Sequence, residues 1–231
     1  QTRGVLESEG VRVLRGLELS CKEYDRTVHL LMYGLQDGPG LDALTERLDE
    51  IATTRRRRIR KICDRLAELD VHLDAEKILI GTHGRTPGRP DVARALVEAG
   101  VCSSLREAFT RFLRDDGPAY VAVDRLSVAD GLAYGRGAGA RMSLAHPHSF
   151  RQFALVRDLF KRMRDDGLEG IEARYGRYGA AEAEGWLRLA REFDLVVTGG
   201  SDFHGDMTPE ISRPGIVMND DEAERLTAWL S

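Results

Sequence analysis

Six side chains able to ligate a metal or move a proton stand in or directly after short apolar runs: Glu18, His29, His146, Glu172, Asp202 and His204. Glu18 sits in Gly-Leu-Glu-Leu, His29 in Val-His-Leu-Leu, His146 after Met-Ser-Leu-Ala, and Glu172 in Gly-Ile-Glu-Ala; Asp202 and His204 follow Val-Val-Thr-Gly-Gly-Ser. Imidazole and carboxylate together suit zinc, manganese and iron, and Asp-x-His on a loop leaving a strand aims two ligands at one centre or at adjacent centres. Singly, each residue has a plainer role. A histidine in an apolar strand is ordinarily a satisfied core residue, a strand-end Asp or Glu is a turn former or helix cap, and Ser-Asp-Phe-His reads as a capped helix start. What favours a metal site is the coincidence of type and place, because in β/α folds the loops after successive strands converge on one rim. Pro147 stiffens the turn after His146, and Gly199-Gly200 lets backbone approach a bound group closely.

The elements that must position these groups follow from hydrophobic spacing. Gln1 to Gly10 reads as a helix tail and a turn, Val11 to Leu19 as a strand with Glu18 at its end, and Val28 to Tyr33 as a second strand. From Leu41 to about Leu69, Leu44, Leu48, Ile51, Ile59, Ile62, Leu66 and Leu69 keep one helical face. A Gly/Thr/Pro-rich loop from Gly81 to Pro90 precedes two shorter helices, Asp91 to Glu98 and Ser104 to Leu113, the second opened by a serine cap with Glu107 three positions on. Beyond Tyr120, strands at 142–145, 170–173, 195–198 and 215–218 alternate with helices at 128–136, 150–164, 180–193 and 220–230. Such alternation predicts a mainly parallel sheet, open or closed into a barrel. The domain reading is a β/α unit from residues 1–40 and 118–231, interrupted by a helical insertion at 41–117.

The run Arg55-Arg56-Arg57-Arg58-Ile59-Arg60-Lys61 is ordinarily a solvated helix face. Yet Arg55 fills the vacant slot in the apolar stripe between Ile51 and Ile59, and Arg58 is its neighbour three residues on. One or two of these arginines should turn inward or toward a cleft, while Arg56, Arg57 and Arg60 face water. A guanidinium held in that way suits bidentate phosphate binding.

Composition narrows the class. The 231 residues, 42% of them hydrophobic, allow one or two domains with a real core. Thirty-four basic against 38 acidic residues give a net charge of −4, which argues against a surface built as a whole to neutralise nucleic acid. Cys21, Cys63 and Cys102 fit neither a disulfide framework nor a zinc finger, so a cytoplasmic setting is expected. No apolar stretch reaches the roughly 18 residues of a membrane span, and a secretory leader is not expected.

In order along the chain, Gly-Leu-Glu-Leu-Ser (16–20), Val-His-Leu-Leu-Met-Tyr-Gly (28–34), Gly-Arg-Pro-Asp-Val-Ala-Arg-Ala-Leu-Val (88–97), Ala-Tyr-Val (119–121), Leu-Ala-His-Pro (144–147), Gly-Ile-Glu-Ala (170–173) and Thr-Gly-Gly-Ser-Asp-Phe-His-Gly (198–205) resemble the PHP (polymerase and histidinol phosphatase) family. The pattern is most similar to its metal-dependent phosphoesterases that act on nucleoside phosphates and short RNA. The resemblance implies a distorted seven-stranded β/α barrel, N-terminally incomplete as given, that holds two or three Mn, Fe or Zn ions, with the helical insertion covering a nucleotide or short RNA substrate. Carried over by position, Glu18 is the bridging carboxylate, and His29 and His146 are ligands of the same metal. Asp202 belongs to the first metal and His204 to the third, and both stand at the catalytic centre. Arg55 and Arg58 match the spaced arginine pair of the insertion helix, and Glu172 supports the ligands without being one. The family's His-x-His strand and Thr-Asp-His loop are not in this chain, so one or two strand–helix units and half the ligands are expected to precede Gln1. Relatives carry histidine where Asp91 stands, leaving Asp91 as a substrate or metal contact or as a helix cap. The expected function is hydrolysis of nucleotide phosphate esters by metal-activated water, with no membrane and no stable protein partner. The alternatives are a degenerate phosphate binder without hydrolysis and a plain nucleic-acid module. The second lacks stacking residues, since 51–72 contains no aromatic.

Overall fold

The computed structural model describes residues 2–82, 85–122, 125–203, 211 and 213–231; of Thr2, Arg3 and Val5, only the backbone is described. By its contacts the chain divides into two compact units, one comprising Gln1–Leu44 with Arg125–Ser231 and the other Thr45–Asp124.

The first unit is built on one six-stranded sheet. After helix α1 (Thr2–Ser8), strands β1 (Gly16–Glu23) and β2 (Arg26–Tyr33) form a hairpin whose two turn residues, Tyr24 and Asp25, both have left-handed backbones. The other strands are β3 (Leu126–Ser127), β4 (Arg141–Leu144), β5 (Leu168–Tyr175) and β6 (Val196–Gly200), and the spatial order is β3-β1-β2-β4-β5-β6. β2 pairs antiparallel with both β1 and β4, whereas β1 with β3, β4 with β5, and β5 with β6 are parallel. The sheet is therefore mixed where strict alternation predicts a mainly parallel one. The reason is local, because a two-residue connection permits only an antiparallel neighbour.

Residues 11–15 have strand-like spacing but no ladder partner among the described residues. β1 begins at Gly16, opposite Tyr33, where β2 ends. Glu18 is consequently the third residue of its strand and not its last, as expected from sequence. Residues 215–218 likewise form no ladder among the described residues, and Val217 is 91% exposed. The 150–164 helix begins later, as α7 (Phe153–Met163), because a 3-10 turn, Pro147–Phe150, precedes it and is closed by left-handed Arg151. α6 (Val128–Gly137), α8 (Ala180–Phe193) and α9 (Asp220–Trp229) lie within a few residues of their expected spans.

Period-two alternation sorts the sheet faces. Leu19 and Cys21 of β1, with Val28, Leu30 and Met32 of β2, are buried on the α6 side, whereas Glu18, Ser20, His29, Leu31 and Tyr33 occupy the other face. α6 approaches so closely that a Cβ on Gly131 would lie 2.7 Å from Cys21 Sγ and 3.0 Å from Leu30 Cδ1.

The second unit is helical. It contains most of α2 (Pro39–Ala67), then α3 (Ala75–Ile80), α4 (Arg89–Glu98) and α5 (Leu105–Ala108), the last continued by a π turn over Phe109–Leu113. α3 has no counterpart among the sequence expectations; the Asp74 carboxylate caps it by accepting from the Glu76 and Lys77 amides. Ile59, Ile62, Leu66, Val92, Leu96 and Leu113 form its core. Along α2, Arg55 is half-buried, Arg58 is buried, and Arg56, Arg57 and Arg60 are exposed, as the stripe requires.

The three cysteines are free and buried, and burial pushes the Cys21 thiol up to about 12 and the Cys63 thiol up to about 11. A thiol-specific disulfide reagent is therefore expected to label none of them in the native protein and all three in guanidinium.

Candidate metal centre

Glu18, His29 and His146 are brought together on the open face of the sheet. His29 Nδ1 lies 2.6 Å from Glu18 Oε1, His146 Nε2 lies 3.2 Å from the same oxygen, and the two ring nitrogens are 3.0 Å apart. The strands explain how residues 128 positions apart meet. His29 faces Ser20 across the hairpin, Ala145 N–H donates to the His29 carbonyl, and Glu18 is two positions from Ser20 on the same face.

Three lone-pair-bearing atoms this close repel one another unless protons or a cation lie among them. Hydrogen bonds from His146 and then His29 hold the Glu18 carboxyl well below the usual carboxylate range. Burial pulls the His146 imidazole down, but the hydrogen bond and charge of Glu18, with Glu172 behind it, leave it above the ordinary histidine value. A divalent ion fits the same donors. Ligand atoms about 2.1 Å from a tetrahedral ion lie about 3.4 Å from each other, so the observed triangle needs only slight widening. One carboxylate and two imidazoles are also the ligand types that zinc, manganese and iron take.

His146 is held by its backbone. Its N–H donates to Glu172 Oε2 at 2.7 Å, its φ of 25° is rare for a residue with a side chain, and Pro147 follows. Glu172 thus supports the candidate ligand His146 without joining the cluster. Burial pushes its carboxyl up to about 7, against the opposing pull of the His146 amide and ring. Its folded value lies above the ordinary 4.5, so the folded chain keeps a proton that the unfolded chain releases. The resulting stability is complete below pH 4.5 and is lost as pH rises through about 7. In chelator-treated protein, E172Q should match the parent at about pH 4 and exceed it by about 3 kcal/mol at about pH 8, read from denaturant unfolding at the two pH values.

The other expected site residues are placed as follows. Asp202, with a left-handed φ of 53°, accepts a hydrogen bond from Tyr175 Oη at 2.9 Å and is not in the ligand triangle. His204 lies outside the described residues. In the helical unit, Arg58 Nε donates to the Val121 carbonyl at 2.6 Å, and its guanidinium lies 5.9 Å from the Tyr120 ring. Asp91 caps α4: its Oδ2 accepts from the Gly88 amide at 2.8 Å, while Oδ1 takes Arg85 at 2.6 Å and Arg94 at 2.5 Å. Asp91 is therefore occupied by its own unit.

Sequence reasoning missed the aromatic wall beside the triangle. His148, Tyr175 and Tyr178 pack with ring centroids 5.0 to 5.4 Å apart, and the His148 ring is 5.9 Å from that of His146. The available signal was a second histidine after His146-Pro147 and the Tyr-Gly-Arg-Tyr segment leaving β5.

Comparison with known proteins bears on what this centre does. The phosphoribosyl 1,2-cyclic phosphate 1,2-diphosphodiesterase of Eggerthella lenta is 29% identical over 206 residues, covering 86% of this chain and 75% of that protein. The 3',5'-nucleoside bisphosphate phosphatase of Chromobacterium violaceum is 27% identical over 208 residues, covering 84% of this chain and 68% of that one. A crystal structure from Bifidobacterium adolescentis, described as a candidate metal-dependent phosphoesterase, superposes with a TM-score of 0.79 at 27% identity, over 98% of this chain and 79% of that one. Over most of its length the chain is similar to proteins named as a phosphodiesterase, a phosphatase and a phosphoesterase. No family model matches it. The candidate ligands Glu18, His29 and His146 converge on one face of the mixed sheet. Among the described residues, no helix is long and apolar enough to cross a membrane.

Proposed function

We propose that the protein hydrolyses phosphate esters of nucleotides, nucleoside bisphosphates or the ends of short RNA, at a centre of two or three Mn, Fe or Zn ions. The observation that supports this most is the convergence of Glu18 Oε1, His29 Nδ1 and His146 Nε2 within 4.8 Å of one another. When bound, divalent ions supply a hydroxide nucleophile near neutral pH and offset the charge on the phosphoryl oxygens.

The chain's own residues do the rest. Glu18, His29 and His146 hold one ion, and Asp202 and His204 belong to the ligand set of the others. Glu172 fixes the His146 backbone so that its ring is delivered without a search through conformers. Tyr175 orients Asp202 by donating to its carboxylate. Arg55 and Arg58 bind a phosphate of the substrate, a role to which the guanidinium fork is matched.

Incubation with Mn²⁺ is expected to release phosphate from adenosine 3',5'-bisphosphate or mononucleotide from a 5'-phosphorylated oligoribonucleotide, and excess chelator is expected to stop it. Absence of release from both substrates, with the metal bound, would reject this function.

A further inference from the structure

His148 has no part in the ligand triangle, yet its geometry is closely specified. The backbone N–H of His148 points to the Tyr178 hydroxyl oxygen at 3.2 Å, and His148 Nδ1 lies 3.0 Å from the same oxygen. An amide N–H can only donate, so the phenolic oxygen accepts there, and its own proton is free to turn to Nδ1. With Nδ1 accepting that proton, the neutral ring carries its own proton on Nε2.

The ring is also immobilised. Tyr175 lies 5.3 Å away at 34° and Tyr178 5.4 Å away at 88°, so two rings bracket the imidazole, while the residue remains exposed. Among the described residues no acceptor meets Nε2. The charged groups that act on the ring are His146, Glu182, Arg177 and Asp202. The exposed His148 Nε2 therefore stands one turn from the candidate ligand His146, without a partner of its own among the described residues.

We propose that His148 contacts the substrate, its Nε2–H donating to an oxygen of the phosphoryl group bound at the metal centre, and that Tyr178 positions it by fixing the tautomer. This rests on phosphoester binding at Glu18, His29 and His146. A neutral donor suits the place, since it adds a hydrogen bond to the phosphoryl oxygen without repelling the cations beside it.

Two measurements test the proposal. Long-range ¹H–¹⁵N spectra of the zinc-loaded protein at pH 8 should show His148 with bare Nδ1 and protonated Nε2, and Tyr178→Phe should shift the ring toward a mixture of tautomers. The Nδ1–H form in the parent protein overturns the proposal, and this readout does not depend on catalysis. In kinetics, His148→Leu should lower kcat/KM about 10- to 100-fold with Mn²⁺ affinity unchanged. His148→Gln, which carries an amide N–H near the position of Nε2, should recover most of the loss. His148→Asn, whose amide falls near Nδ1, should not. Parental activity in the leucine variant, equal activity of the glutamine and asparagine variants, or loss of metal affinity in the leucine variant would each refute the contact. A parent protein inactive with bound metal would instead refute the hydrolase reading.

Discussion

His146→Ala lowers Mn²⁺-dependent phosphoester hydrolysis by at least about 100-fold, a loss beyond that caused by disturbing a residue that merely orients a ligand. The geometry gives the reason. Nε2 of His146 is one of three donors within 4.8 Å of one another, and its removal leaves Glu18 and His29 paired at 2.6 Å, a two-donor remnant. The backbone that carries His146 is secured by Glu172 and by the turn through buried Pro147 and Phe150, so the variant should fold. Circular dichroism that matches the parent, together with lost activity, is the expected pair of results. Steady-state assays over a range of Mn²⁺ concentrations check it, and a variant within a few fold of the parent would exclude His146 as a ligand.

Gly40→Ala is expected to cause the largest loss of stability from a single methyl group, about 3 kcal/mol or more. A Cβ at residue 40 would lie 1.8 Å from the Gly137 carbonyl oxygen and 2.3 Å from its carbon. Both contacts are with backbone, so no side chain can rotate away, and the start of α2 would have to separate from the end of α6. Gly137→Ala is the natural control, because a Cβ there meets nothing within 4 Å. Its helical position predicts a gain of about 0.5 to 1 kcal/mol. Urea unfolding of the two variants beside the parent measures the contrast, which should be one of sign.

The two substitutions also show which parts of the structure were legible in the sequence. His29 and His146 were recognisable because each sits in or after a short apolar run, and period-two alternation then places His29 on the face opposite Leu30. Glu18 was read as a strand-end residue because Val11, Val13 and Leu14 imitate a strand. A strand exists only where it has a partner, and β2 ends opposite Gly16. Residues 215–218 failed for the same reason, since Ile216 and Val217 have the composition of a strand but no ladder among the described residues. The His148–Tyr178 pair was invisible because it depends on two loops meeting after β4 and β5. No spacing within either loop encodes that meeting. The inward turn of Arg55 and Arg58 was legible because helical periodicity is local and carries its own register.

Hydrolysis at this centre requires that Glu18, His29 and His146 form a metal site. Calorimetric titration of chelator-treated protein with Mn²⁺ tests it directly, with His29→Ala measured in parallel. Saturable binding in the parent and at least about tenfold weaker binding in the variant is the predicted result. Equal affinity in the two proteins, or no binding in either, would contradict it.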